Sequence, residues 1–201
     1  LMYDFSSNVI VFAKNAEQKC YPASITKLLT ASVALKYVDS NTVFTVGSEQ
    51  ELVQPHSSLC LIKPGHALTL HDLIIGMLLP SGNDAAYTVA VNVARIVAEN
   101  TKLSDREAVN YFCGLMNEYA KMIGASSSHF TSPEGWHAAD HYSTPYDILL
   151  ITLNALENSE IAEIMSMQSK YVVFASGHNI TWTNSNKLLD PESEYFYEYA
   201  L

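Results

Sequence analysis

The stretch from Ser24 to Val38 limits the choice of fold more than any other part of this 201-residue chain. Ile25, Leu28, Leu29, Val33, Leu35 and Val38 recur at helical spacing, yet they occupy much of the circumference instead of one stripe. A surface helix keeps a polar face toward water, whereas a helix that is apolar on most sides has to be buried. Other elements must therefore wrap around this segment. The composition allows it, since 48% of residues are hydrophobic and 16% are charged, the opposite of a disordered polymer.

The elements available for wrapping can be read along the chain. Residues 1–5 and 8–13 are two apolar segments around Ser6-Ser7 and read as a β-hairpin. Residues 42–46 read as a short strand and 47–69 as loop. Helices are expected from Thr69 to about Leu79 and from Asp84 to Glu99, with Pro80-Ser81-Gly82-Asn83 breaking the chain between them. A fourth helix should start at Ser104, with Glu107 completing a capping box, and end at Gly124. Two more are expected at Pro145–Glu157 and Glu160–Met167, then a second hairpin from Tyr171–Ala175 and Asn179–Thr183. Strands at both ends and helices between them give an α+β layout. Residues 1–40 and 160–201 would form the sheet with its central helix, and 41–159 a mainly helical part. The aromatic run Tyr195–Tyr199 reads as a further strand.

Several function classes drop out. Lys plus Arg number 11 against 21 Asp plus Glu, and a net charge of −10 does not suit a nucleic-acid or anionic-lipid surface. No apolar run reaches the ~18 residues of a membrane span. Cys20, Cys60 and Cys113 form no C-x-x-C pair, so a zinc ribbon or dithiol motif is excluded. Three mostly buried thiols are expected, with one disulfide plus a spare thiol as the alternative. His137 and His141 have a spacing that suits zinc on a helix. Pro133, Gly135 and Pro145 argue against a helix there, so no metal is expected, and no organic cofactor either. His56, His66, His71, His129 and His178 are scattered and read as surface or capping residues.

Two short segments carry chemistry. In Ser24-Ile25-Thr26-Lys27, positions i and i+3 share a helix face. Burial of that face pushes a lysine toward its neutral, basic form. A serine hydroxyl is a weak nucleophile until such a base stands beside it. In the helix break, Ser81 can relay a proton, and Asn83 offers a donor and an acceptor suited to gripping an amide.

Together with their flanks these segments resemble the low-molecular-mass D-alanyl-D-alanine carboxypeptidases, penicillin-binding serine peptidases of the β-lactamase/transpeptidase-like fold. Tyr21-Pro22-Ala23-Ser24-Ile25-Thr26-Lys27 is similar to that family's active-serine segment, and Leu79-Pro80-Ser81-Gly82-Asn83-Asp84 to its second motif. Ser132-Pro133-Glu134-Gly135-Trp136 is similar to its N-P-x-G-L turn. His141-Tyr142-Ser143-Thr144-Pro145-Tyr146-Asp147 and Asn184-Ser185-Asn186-Lys187-Leu188-Leu189 resemble two further stretches. The resemblance implies that Ser24 is the nucleophile, Lys27 its base, Ser81 a proton relay and Asn83 a substrate-binding residue. It implies a peptidoglycan stem peptide ending in D-Ala-D-Ala as substrate, acylation by β-lactam antibiotics, and action outside the cytoplasmic membrane.

The sequence departs from the family in lacking the Lys-Thr-Gly motif and the later sheet strands. The chain therefore reads as an incomplete penicillin-binding catalytic domain, inactive alone. A second polypeptide segment carrying a Lys-Thr-Gly strand is expected to complete it and cover the Ser24–Val38 helix. Membrane attachment would come only from a C-terminal anchor outside these residues, and a signal peptide is expected upstream of Leu1. Two rivals are a class A-like β-lactamase and a non-catalytic penicillin sensor or wall-binding module. The first is weakened by Gly82, where those enzymes carry Asp, and by the lack of a Glu-x-x-Leu-Asn loop.

Overall fold

A computed structural model describes residues 1–197 and 200. Helix α1, Thr26–Tyr37, runs through the interior, and a 3₁₀ turn at Ala23–Ile25 leads into it, so the regular helix starts two residues later than its pattern suggests. Around it lie α2 (Leu70–Leu78), α3 (Asn83–Val97), α4 (Asp105–Met122) and α5 (Pro145–Glu157), all in contact with α1. Ala31, Ser32 and Ala34 are buried in α1, and small side chains there let neighbouring helices approach closely. This corrects one expectation. Strands are not required to cover α1, because four helices bury most of it, leaving Leu28 and Leu35 half-buried and Ile25 and Tyr37 exposed.

The helix ends follow local chemistry. Thr69 caps α2 by accepting from the Asp72 N–H. Ser104 caps α4, accepting from Glu107 N–H while its own N–H donates to Glu107 Oε2, the reciprocal box read from the sequence. Thr144 caps α5 with Pro145 in the first turn, and Asn158 caps α6 (Ser159–Ser166).

The strands form three antiparallel pairs: β1 (Met2–Asp4) with β2 (Val9–Phe12), β3 (Val43–Thr45) with β4 (Ala67–Thr69), and β5 (Ser169–Val173) with β6 (Asn179–Thr183). The class is α+β, as expected, but among the described residues the two end hairpins do not join into one sheet. Each satisfies its inner hydrogen bonds within its own pair. β4 lies where the sequence reads as loop. It is three residues long, and its last residue is already the cap of α2, too short a run to show an alternating pattern. Tyr195, Phe196 and Tyr197 hold no strand, and Glu198 and Tyr199 lie outside the described residues. All three cysteines are free thiols, with Cys60 and Cys113 buried. Among the described residues no helix is long and apolar enough to cross a membrane.

Candidate active site

The entry to α1 brings Ser24 and Lys27 together. Lys27 is 1% exposed, and its Nζ donates to Ser24 Oγ at 3.0 Å, to Ser81 Oγ at 3.3 Å and to the backbone carbonyl of Glu134 at 3.2 Å. Burial pushes its pKa down to about 8, against the opposing pull of the Glu134 and Asp84 charges. An ammonium stripped of water and held by three uncharged oxygens gives up its proton far more readily than a surface lysine. In the neutral form, the Ser24 contact presents a hydroxyl proton to a free amine.

Ser81 reaches Lys27 from the break between α2 and α3. Its φ of +60° is a left-handed conformation that serine seldom adopts. The surroundings hold the loop in place: Gly82 N–H donates to Gly76 O, Asn83 N–H to Ser58 O, and Ser185 N–H to Leu79 O. The Asp84 carboxylate accepts from the Cys60, Ile62 and Ala85 N–H groups and so ties α3 to the preceding loop. Here the packing also accounts for Gly82. A Cβ at that position would lie 2.7 Å from the Gly76 carbonyl oxygen and 2.8 Å from Cys60 Cβ, so the aspartate of the β-lactamase pattern has no room.

A third arm closes over α1 from residues 131–135. Thr30 Oγ1 donates to Pro133 O at 2.6 Å, one turn beyond the Lys27–Glu134 contact. Gly135 has φ +89°, and a Cβ there would sit 1.9 Å from the Ala23 carbonyl oxygen. The turn thus presses on the residue before Ser24, which itself has φ +49°. Beneath, Thr131 N–H donates to His141 Nδ1, which leaves Nε2 as the N–H that donates to Thr26 Oγ1 at 3.0 Å. Burial pushes the His141 pKa down to about 4, so the ring is neutral in this role.

Ser24, Lys27 and Ser81 line an open cleft of about 250 Å³, faced by Asn184, Ser185 and Asn186. Three of the four site residues read from the sequence therefore meet. Asn83 stands apart: it is 7% exposed, in the first turn of α3, and does not line the cleft. The sequence reading did not single out Glu134, His141, Thr30 or the Asn184–Asn186 wall as site residues, and the only signal for this arm was the Pro133-x-Gly135 turn. His137 and His141 diverge. His137 packs edge-on to Tyr21, while His141 turns inward to Thr26.

Comparison with known proteins gives the family and the fold. Residues 1–197 match the family described as D-alanyl-D-alanine carboxypeptidase. The carboxypeptidase DacD of Escherichia coli is 29% identical over 198 residues, 94% of this chain and 47% of its own length. DacC of the same organism is 31% identical over 94% of this chain and 46% of its own. The chain thus spans about half the length of these curated relatives. The crystal structure of the Streptomyces K15 DD-transpeptidase superposes with a TM-score of 0.81 at 27% identity, over 94% of this chain and 73% of that one. With the family model matching residues 1–197 and DacC 31% identical over 94% of the chain, the chain belongs to the D-alanyl-D-alanine carboxypeptidase family.

Proposed function

We propose that the protein containing this chain is a serine-type D-Ala-D-Ala carboxypeptidase acting on peptidoglycan stem peptides. The observation that carries the reading is one nearly buried amine, Lys27 Nζ, within 3.3 Å of two serine hydroxyls at the mouth of a cleft.

In this reading Ser24 Oγ attacks the carbonyl between the two terminal D-alanines as its proton passes to neutral Lys27 Nζ. The Ser24 backbone N–H, near the start of α1, is one donor to the oxyanion. The C–N bond then breaks, and Ser81 passes the proton from Lys27 to the departing D-alanine amine. Water, deprotonated by the now neutral Lys27 Nζ, attacks the ester carbonyl, and as the ester C–O bond breaks Lys27 returns that proton to Ser24 Oγ. Asn83 orients the acyl-side amide. This role requires its side chain to reach the cleft when substrate is bound, because in the free chain it does not line it. A β-lactam takes the same first step and leaves Ser24 acylated.

The reading includes a second segment with a Lys-Thr-Gly strand that closes the open side of the cleft and supplies a cationic contact for the substrate carboxylate. These residues are then part of a penicillin-binding catalytic domain. It also includes action outside the cytoplasmic membrane, where peptidoglycan lies, with any attachment through a C-terminal anchor. Family membership and the serine–lysine geometry support it. The test is release of D-alanine from a peptide ending in D-Ala-D-Ala by the full-length protein. Release that disappears in Ser24→Ala is expected. A full-length protein that binds the peptide but never releases D-alanine contradicts the reading.

A further inference from the structure

Behind Lys27 lies a carboxyl group that the mechanism above does not use. Glu134 is 2% exposed, and its backbone carbonyl is one of the three acceptors holding Lys27 Nζ. Its side chain turns toward α3, where Oε1 accepts from the Tyr87 hydroxyl at 3.1 Å. Among the described residues, Oε2 is buried with no hydrogen-bond partner. A buried carboxylate oxygen without a donor is costly, and a fold that only needed the turn would be better served by an amide or an apolar side chain. A catalytic site is where such a cost is repaid by function.

Resting on the carboxypeptidase reading, we propose that the Glu134 carboxyl, fixed by Tyr87, is a positioning residue that sets the pH at which Lys27 becomes the free base for Ser24. A negative charge behind the amine favours the ammonium, and a neutral carboxyl there releases it. The other groups facing the pair are few. Asp84 at the start of α3 adds a second negative charge on Lys27. Cys113 of α4 and Tyr87 of α3 face Glu134, and Arg106 of α4 acts on Tyr87. Burial raises the Glu134 carboxyl pKa, opposed by nearby polar groups of its own turn, by the Tyr87 hydroxyl and by the Lys27 charge. Each of the two charges thus favours the other's ionised form, and the acidic limb of acylation reports on both.

Two variants of the full-length protein separate charge from shape. Glu134→Gln keeps the shape and an acceptor for Tyr87, and Glu134→Met keeps only the volume. Both leave the backbone carbonyl on Lys27. The acylation rate with a fluorescent penicillin is followed against pH, and the Lys27 ammonium is titrated by the ¹³Cε chemical shift of labelled lysine. Both variants are expected to move the acidic limb and the Lys27 midpoint down by about one pH unit. One unit below the wild-type midpoint, that is about a fivefold faster acylation. A Lys27 midpoint unchanged in both variants overturns the proposal, whether or not the rate has changed. If the wild-type protein is not acylated at any pH, the carboxypeptidase reading falls, and the Lys27 midpoints alone still decide the role of Glu134.

Discussion

The surroundings of α1 and the hairpins at the two chain ends are built from similarly apolar sequence and reach opposite outcomes. Along α1, Leu29, Ala31, Val33 and Ala34 are all at 0% exposure, and its polar residues Lys27 and Thr30 find partners on a loop over a hundred residues away. In β2 every residue is exposed, Val11 at 54% and Phe12 at 57%, and in β5 Tyr171 and Val173 stand open on one face. The difference lies in what the neighbours supply. A helix of small and branched residues is covered by other helices and by backbone clamps. A two-stranded ribbon buries at most one face and leaves an edge of unpaired N–H and C=O groups. The geometry of Ser24, Lys27 and Ser81 is therefore fixed by the helical part, and the strands form its periphery.

Removing the base inside the helical part should have the largest effect. Lys27→Ala is expected to slow β-lactam acylation of the full-length protein about 10³-fold or more, measured by stopped-flow or gel fluorescence. In the wild type the rate should climb with pH through about 8, because only the neutral amine accepts the serine proton. A variant that acylates at the wild-type rate would remove Lys27 from the mechanism.

Next comes the clamp. Gly135→Ala places a methyl into the Ala23 carbonyl and forces a strained backbone. It should cost about 2–4 kcal/mol in denaturant unfolding and impair acylation as well, since Ala23 precedes the nucleophile. Wild-type stability and rate would show that the 131–135 arm is not tied to Ser24.

His141 tests the same arm through pH. Its folded pKa near 4 lies below the ~6.5 of an unfolded histidine, so its contribution is complete above pH 6.5 and is lost as pH falls toward 4. That loss is about 3 kcal/mol relative to a His141→Gln variant, which lacks the titration. Parallel pH–stability curves for the two proteins would contradict a buried neutral ring.

The smallest effect addresses the contrast itself. In the full-length protein Val33→Thr, at 0% exposure, should cost about 2 kcal/mol, and Val11→Thr, at 54%, about 0.5 kcal/mol or less. Equal costs would mean that the end hairpin is as fully covered as α1.

The same contrast explains what was legible in the sequence. Helices with strong caps, such as α4 with Ser104 and Glu107, were readable because the signal is local. Ser24, Lys27 and Ser81 were readable because their flanking segments resemble the family's motifs, whereas the i, i+3 spacing and the helix break alone fit an ordinary cap and turn. The cover over α1 was misjudged, because its neighbours are set by long-range packing and not by its own periodicity. β4 was lost in a three-residue run, and the two hairpins were wrongly joined into one sheet, since pairing between distant strands leaves no local mark. Thr30, Glu134 and His141 act through contacts 103, 107 and 115 residues apart, and no spacing rule reaches that far.

The central claim is that Ser24, with Lys27 behind it, is an acylation site. Its most direct test is the intact mass of the full-length protein after exposure to benzylpenicillin, followed by peptide mapping. The account predicts one persistent adduct, located on Ser24 and absent from Lys27→Ala over the same interval. Unmodified wild-type protein, or an adduct on any other residue, would contradict it. Rapid return to the unmodified mass with loss of the drug would point to a β-lactamase instead.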